Sequence, residues 1–234
     1  GGKNSDVHEL HAFMRGYNAQ LRKRGEHVGI SKISVQTGTA HGGFVGADGK
    51  LRMDVQIDLE ALRELSSVAR SDYGLGGAVQ HGASTLPPSA FDAFPKAGAC
   101  EIHLATDFQN MVYDHPQFPA ELKAGMYAWL QDNAAEERKP NDTEQQFLYK
   151  ARKKAIGPFK AQLWTMADEV KAALGQSLEE RFAFLMRQLN VGGTAAAVKQ
   201  FVTAPDIPFS REAELQAAAG KITATERKAE GLSD

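Results

Sequence analysis

The chain has 234 residues, 42% hydrophobic and 24% charged, which allows one large domain or a domain with an appendage and excludes collagen-like, coiled-coil and wholly disordered classes. Its 27 basic and 29 acidic residues are interspersed and sum to −2, so no basic face for nucleic acid is expected. A lone Cys100 forbids an intrachain disulfide or a cysteine metal cluster. The absence of an apolar run of about 20 residues and of a signal-peptide layout in GGKNSDVHEL gives the expectation of a cytoplasmic protein without a membrane partner.

From Asp6 to Lys23, apolar and aromatic residues at Val7, Leu10, Phe13, Met14, Tyr17 and Leu21 predict an amphipathic helix stopped by Gly25. Ile30, Ile33 and Val35 read as a strand running into the glycine-rich loop Gly38-Thr39-Ala40-His41-Gly42-Gly43. Asp58 is placed to cap a helix whose stripe is Leu59, Leu62, Leu65 and Val68. A second strand, Ala78-Val79-Gln80, ends in His81-Gly82-Ala83-Ser84, and Pro87-Pro88 open a helix through Phe91 and Phe94 to Gly98. Cys100 to Thr106 reads as a third strand, with His103 near its end. Three strand-to-helix units predict parallel strands and α/β organisation. Beyond Asn110 the spacing turns helical, with Trp164, Phe182 and Phe184 expected inside, and from Thr203 an extension with Pro205, Pro208 and a loosely held AEGLSD end is expected.

Two histidines, each followed by glycine at the C-terminal end of a parallel strand, form the sharpest constellation. Such ends converge on one rim where ligands bind, imidazole suits Zn²⁺, and glycine lets backbone N–H groups approach an anion. His8 and His11 are spaced i, i+3 on the first helix without a third ligand in view, and read as exposed helix residues. His115 reads as a loop residue, and Cys100 as a small buried residue rather than a nucleophile.

Thr37-Gly-Thr-Ala-His41-Gly-Gly, Gln80-His81-Gly-Ala-Ser84 and Glu101-Ile-His-Leu-Ala-Thr106-Asp107 together resemble, in order and spacing, the class II, metal-dependent fructose-bisphosphate aldolases. The resemblance covers Gly1 to about Leu174. It implies a (β/α)8 TIM barrel, with this chain covering the C-terminal strands, and a helical C-terminal extension. The expected divisions are 1–115 for the barrel portion, 116–202 for a helical region packing on it, and 203–234 for an extended or helical tail. It implies a zinc-dependent enzyme of carbohydrate metabolism that cleaves a ketose bisphosphate, fructose 1,6-bisphosphate first and a tagatose or other ketose phosphate behind it, to dihydroxyacetone phosphate and an aldehyde. His41 and His81 would be metal ligands for Zn²⁺ or another divalent ion such as Co²⁺ or Fe²⁺. Gly42, Gly82, Ser84, His103, Ala105 and Thr106 would face the phosphorylated sugar substrate. The general-base Asp and further ligands are expected upstream of this chain, and the family is commonly dimeric or tetrameric, so a homo-oligomer is expected.

The departures from the family pattern set the alternatives. Ala83 and Thr85 stand where the family has glycine, which would strain a backbone needing positive φ. His103 stands where the family has Asn, and either alters the substrate, adds a third nitrogen ligand, or hydrogen-bonds within the barrel. Arg152-Lys153-Lys154 lies near the family's basic residue for a second phosphate, although a solvated helix face is the favoured reading. The other reading of the whole is a non-catalytic aldolase-like barrel acting as a structural or assembly partner.

Overall fold

The computed structural model describes residues 3–39, 44–48, 50–52, 57–204 and 209–222. It divides into two compact units, Gly1–Gly192 and Gly193–Asp234.

The first unit opens with α1 (Val7–Arg24). Asp6 accepts from the Glu9 N–H while the Glu9 carboxylate accepts from the Asp6 N–H, a capping box that satisfies two donors left over by the first turn. The predicted stop at Gly25 is where the helix ends. Its buried residues are Leu10 and Met14, spaced i, i+4. The predicted cap at Asp58 also forms, its carboxylate accepting from the Ala61 N–H at 2.9 Å to start α2 (Leu59–Tyr73). Leu62, Leu65, Ser66 and Ala69 form the buried stripe of α2.

Between these helices runs β1 (Ile33–Val35), followed by an antiparallel hairpin of β2 (Phe44–Val45) and β3 (Leu51–Arg52). β4 (Ala78–Gln80) and β5 (Glu101–Ile102) complete a parallel sheet of order β1-β4-β5. Register pairs Ile33 with Ala78, Val35 with Gln80, and Gln80 with Ile102. By alternation these residues share one face, and Ser34, Val79 and Glu101 share the other. Ile33, Val35, Ala78 and Ile102 join the apolar cluster built on Leu10, Met14, Leu62, Leu65, Phe91 and Phe94. The strands also anchor to α2: Ser66 Oγ accepts from the Ala78 N–H and donates to the Gly98 carbonyl, and Arg70 Nε donates to the Gly76 carbonyl. Gly77, at φ 134°, passes so close that a Cβ would sit 2.7 Å from Ser66 Oγ, which requires glycine there.

The (β/α)8 barrel expectation is overturned. Among the described residues the parallel sheet is open and three-stranded, the remaining two strands form a separate hairpin, and helices dominate. Closing eight strands requires a continuous staggered ladder, and here the strands are two or three residues long, with β1 and β5 at the edges of the sheet.

Two local expectations also change. The helix from Pro87 to Gly98 is instead a 3₁₀ turn at Pro88–Ala90 and a short α3 (Ala93–Lys96), because Pro95 cannot sit inside a longer helix but is tolerated in a first turn. The strand from Cys100 to Thr106 contracts to Glu101–Ile102, since β4 ends at Gln80 and leaves little to pair with.

The rest of this unit is helical: α4 (Thr106–Tyr113), α5 (Ala120–Asn133), α6 (Glu144–Ala151), α7 (Lys160–Trp164) and α8 (Asp168–Gln188). A second apolar cluster forms here around Tyr113, Met126, Leu130, Phe147, Ala155 and Leu174. α8 supplies Leu174 to this cluster and Leu185 and Phe184 to the sheet cluster. Of the aromatics expected inside, Phe184 packs on the core. Phe182 is half-exposed and stacks on Phe108, while Trp164 is 74% exposed with Lys160 Nζ over its ring. Cys100 is exposed rather than buried.

The second unit contains α9 (Ala195–Phe201) and α10 (Arg211–Ile222), with Phe201 and Phe209 exposed. Pro205, Pro208 and the AEGLSD end lie outside the described residues. No helix among the described residues is long and apolar enough to cross a membrane.

Candidate functional site

The C-terminal ends of β1 and β4 are tied by a buried polar network. Thr37 Oγ1 donates to Gln80 Oε1 at 2.6 Å, Gln80 Nε2 donates to Thr39 Oγ1 and to the His81 carbonyl, and Thr39 Oγ1 donates to the same carbonyl at 2.7 Å. Thr37, Thr39 and Gln80 are all buried. Each polar group finds a partner, so the turn carrying His81 is held by directional bonds as well as by packing.

That turn continues through Gly82 at φ 69°, a left-handed conformation that glycine adopts freely, into a 3₁₀ turn at Ala83–Thr85. Ala83 and Thr85 lie in this right-handed turn, and among the described residues the non-glycine with positive φ is Asn190, so the two departures from the family's glycines cause no backbone strain. Ser84 Oγ accepts from the Ala105 N–H at 3.0 Å, which joins the His81 turn to the start of α4. Ala105 is the cap residue of α4 and Thr106 its first residue, and among the described residues no side chain makes a cap hydrogen bond to this helix.

His103 lies beside His81. Their rings are 4.2 Å apart and inclined by 26°, a stacked pair. His103 Nε2 is hydrogen-bonded to Glu101 Oε1, and Glu101 Oε2 is ion-paired with Lys32, which reaches from the opposite edge of the sheet. The Lys32 ammonium, and after it the His103 imidazole, hold the Glu101 carboxyl below the ordinary range.

A second polar centre forms where α4 meets α6. Arg152, expected on a solvated face, is 2% exposed; Lys153 and Lys154 beside it are exposed. Its Nη1 donates to Asp114 Oδ1 at 3.2 Å and its Nη2 to Asn110 Oδ1, and the guanidinium lies over the Tyr149 and Tyr113 rings at 4.4 and 5.0 Å. Among the described residues its buried Nε has no hydrogen-bond partner. A cavity of about 440 Å³ opens here, lined in part by Arg152, Asn110, Tyr149, Tyr127, Lys50 and Gln145. Burial pushes the Tyr113 hydroxyl up to about 12 and the Tyr149 hydroxyl upward as well, so both stay protonated donors at neutral pH. The sequence signal for Arg152 is its spacing with Leu148 and Ala155, the i, i+4, i+7 pattern of an inward helix face.

Of the residues singled out from sequence, His81, Gly82, Ser84, His103, Ala105 and Thr106 gather around the ends of β4 and β5. His41 and Gly42 lie outside the described residues. The His81 imidazole has the donor chemistry for Zn²⁺, Co²⁺ or Fe²⁺. Among the described residues no group of three or more His, Cys, Asp or Glu is arranged to hold an ion, so the fit rests on this ring and not on a closed ligand set. His8 is exposed, whereas His11 Nδ1 pairs with the Tyr73 hydroxyl at 2.6 Å, tying α1 to α2. His115 Nδ1 accepts from the Gln117 N–H, a turn role consistent with a loop residue. Partial desolvation pushes the Cys100 thiol up, and its Sγ sits 3.4 Å from the Ala78 carbonyl, which disfavours a nucleophilic role. No protein-family model matches the sequence.

Proposed function

We propose that this chain carries part of the site of a divalent-metal-dependent class II aldolase that reversibly cleaves a ketose bisphosphate, fructose 1,6-bisphosphate first. The observation that carries the reading is the junction of the His81-Gly82 turn with the Ala105-Thr106 helix start through Ser84. It brings an imidazole, a glycine turn and uncapped N–H donors to one rim. Three parallel strands suffice for this convergence, which does not depend on a closed barrel.

In this reading His81 presents an imidazole lone pair to the metal, a role shared with His41. The metal, Zn²⁺ or another divalent ion, supplies Lewis-acid polarisation of the ketose carbonyl when bound. Gly82 lets the backbone approach the substrate, and the first-turn N–H groups of α4 hold the phosphate next to the reacting ketone. Ser84 Oγ, already accepting from Ala105, has its proton to donate to the same anion. Arg152 takes the second phosphate. Its guanidinium is desolvated, held flat by two tyrosines and oriented by Asp114 and Asn110, while its Nε is uncommitted among the described residues.

The test is binding, since the general base and further ligands are expected outside this chain: Zn²⁺ uptake by chelator competition, then binding of dihydroxyacetone phosphate and fructose 1,6-bisphosphate to the loaded form by calorimetry. His81→Ala is expected to abolish Zn²⁺ uptake. Arg152→Met is expected to weaken binding of the bisphosphate much more than that of fructose 1-phosphate. Absence of Zn²⁺ uptake by the chain, or uptake retained in His81→Ala, overturns the reading.

A further inference from the structure

We propose that His103 is a positioning residue for His81, the last link of a chain Lys32–Glu101–His103–His81 laid across one face of the sheet; this rests on the reading of His81 as a metal ligand. The ladder explains the placement. Val79 pairs with Glu101 and Gln80 with Ile102, and the His103 N–H donates to the Gln80 carbonyl at 2.9 Å, so the next residues, His81 and His103, leave their strands side by side. Lys32 comes from just before β1, so its ion pair with Glu101 straddles β4 and fixes the carboxylate from both edges.

Each link removes a freedom of the next. Glu101, acceptor-only when ionised, selects the His103 tautomer with hydrogen on Nε2 and stops that ring from turning. The immobilised ring then lies flat against His81. An imidazole donates its lone pair in the ring plane, so a wall against the face of His81 sets the directions in which that ring can bind. The stack also separates His103 from the ligand role. Two imidazoles on one ion bring their nitrogens to about 2.0–2.1 Å from it, which requires ring planes converging on a point. Rings inclined by 26° at 4.2 Å aim their in-plane lone pairs side by side. Carboxylate–histidine pairs that orient metal-binding rings are a recurrent device, and their loss weakens metal affinity by roughly 10–100-fold. Here the orientation passes through a stacked second ring in place of a direct hydrogen bond.

The experiment uses the full chain and the variants His103→Ala, His103→Phe and His81→Ala, with folding checked by circular dichroism. His103 is half-exposed, so its replacement leaves the core intact. Two readouts are taken: the His81 ring proton shifts by NMR without metal, and Zn²⁺ affinity by chelator competition. The expected result is that the ring-current displacement of the His81 signals is lost in His103→Ala and kept in His103→Phe. Zn²⁺ affinity is expected to fall roughly 10–100-fold in the first and recover in the second. Unchanged His81 signals in His103→Ala overturn the proposal whether or not metal binds. So does a His103→Phe affinity as poor as that of His103→Ala, which would make His103 a ligand. If the NMR result holds while neither the wild type nor His81→Ala takes up Zn²⁺, the positioning stands and the metal reading fails.

Discussion

The two faces of the three-stranded sheet use the same alternation for opposite ends. One face carries Ile33, Val35, Ala78 and Ile102 into the apolar cluster under α1 and α2. The other carries Glu101 and, at the strand ends, the stacked His81 and His103, with Lys32 bonded across it. The first face is stabilised by area removed from water, the second, around the buried Val79, by hydrogen bonds among groups that stay partly wet. Stability and chemistry are therefore separable here: a substitution on the apolar side should unfold the chain, and one on the polar side should leave it folded and alter what it binds.

The largest effect is expected at Leu62, which is fully buried on α2. Leu62→Ala removes packed methyl groups and should cost about 3 kcal/mol in urea unfolding, while the protein that stays folded keeps the wild-type Zn²⁺ affinity. A loss below about 1 kcal/mol would show that the α2 side is not where the sheet is held. Gln80→Leu comes next. It keeps the volume but strips the Thr37 hydroxyl of its acceptor and Thr39 and the His81 carbonyl of a donor, with an expected cost of about 2 kcal/mol. Because this network holds the His81 turn, Gln80→Leu should also weaken Zn²⁺ binding, the one place where the two faces communicate. Asp58→Ala removes the cap of α2 and should cost about 1 kcal/mol with no effect on the metal.

Sequence alone makes the Asp58 cap and the stop at Gly25 legible because they are local, each specified within four residues. The convergence of His81, Ser84 and Ala105 is also foreshadowed, since parallel strands put their C-terminal ends together. The extent of the sheet is not, because a strand's length depends on what its neighbour offers, and β4 ends early. The break of the Pro87–Gly98 helix was written in Pro95, whose effect depends on where the turn restarts. Arg152 shows the remaining difficulty. A basic run reads as solvated until the tyrosines at 113 and 149 close over one member, and Tyr113 is 39 residues away in the chain.

The smallest effect, and the sharpest contrast with Leu62, is expected at Glu101. Glu101→Gln keeps a side chain able to bond His103 but removes the charge that faces Lys32. Near neutral pH the loss should be no more than about 1 kcal/mol, since the Lys32 and Glu101 side chains are 44% and 32% exposed and water screens the pair. Its pH dependence carries the sign. The Glu101 carboxyl titrates below its ordinary value in the folded chain, so between that ordinary value, about 4.3, and the lowered one the unfolded state binds more protons. The ion pair's contribution is therefore complete above the ordinary value and is lost as pH falls through the lowered one. The stability gap between wild type and Glu101→Gln should close on acidification, and the Glu101 carboxyl carbon, followed by NMR, should titrate late. A gap that persists unchanged at low pH would mean that the carboxylate acts through packing and not through Lys32, and the polar face would then be held by the same kind of force as the apolar one.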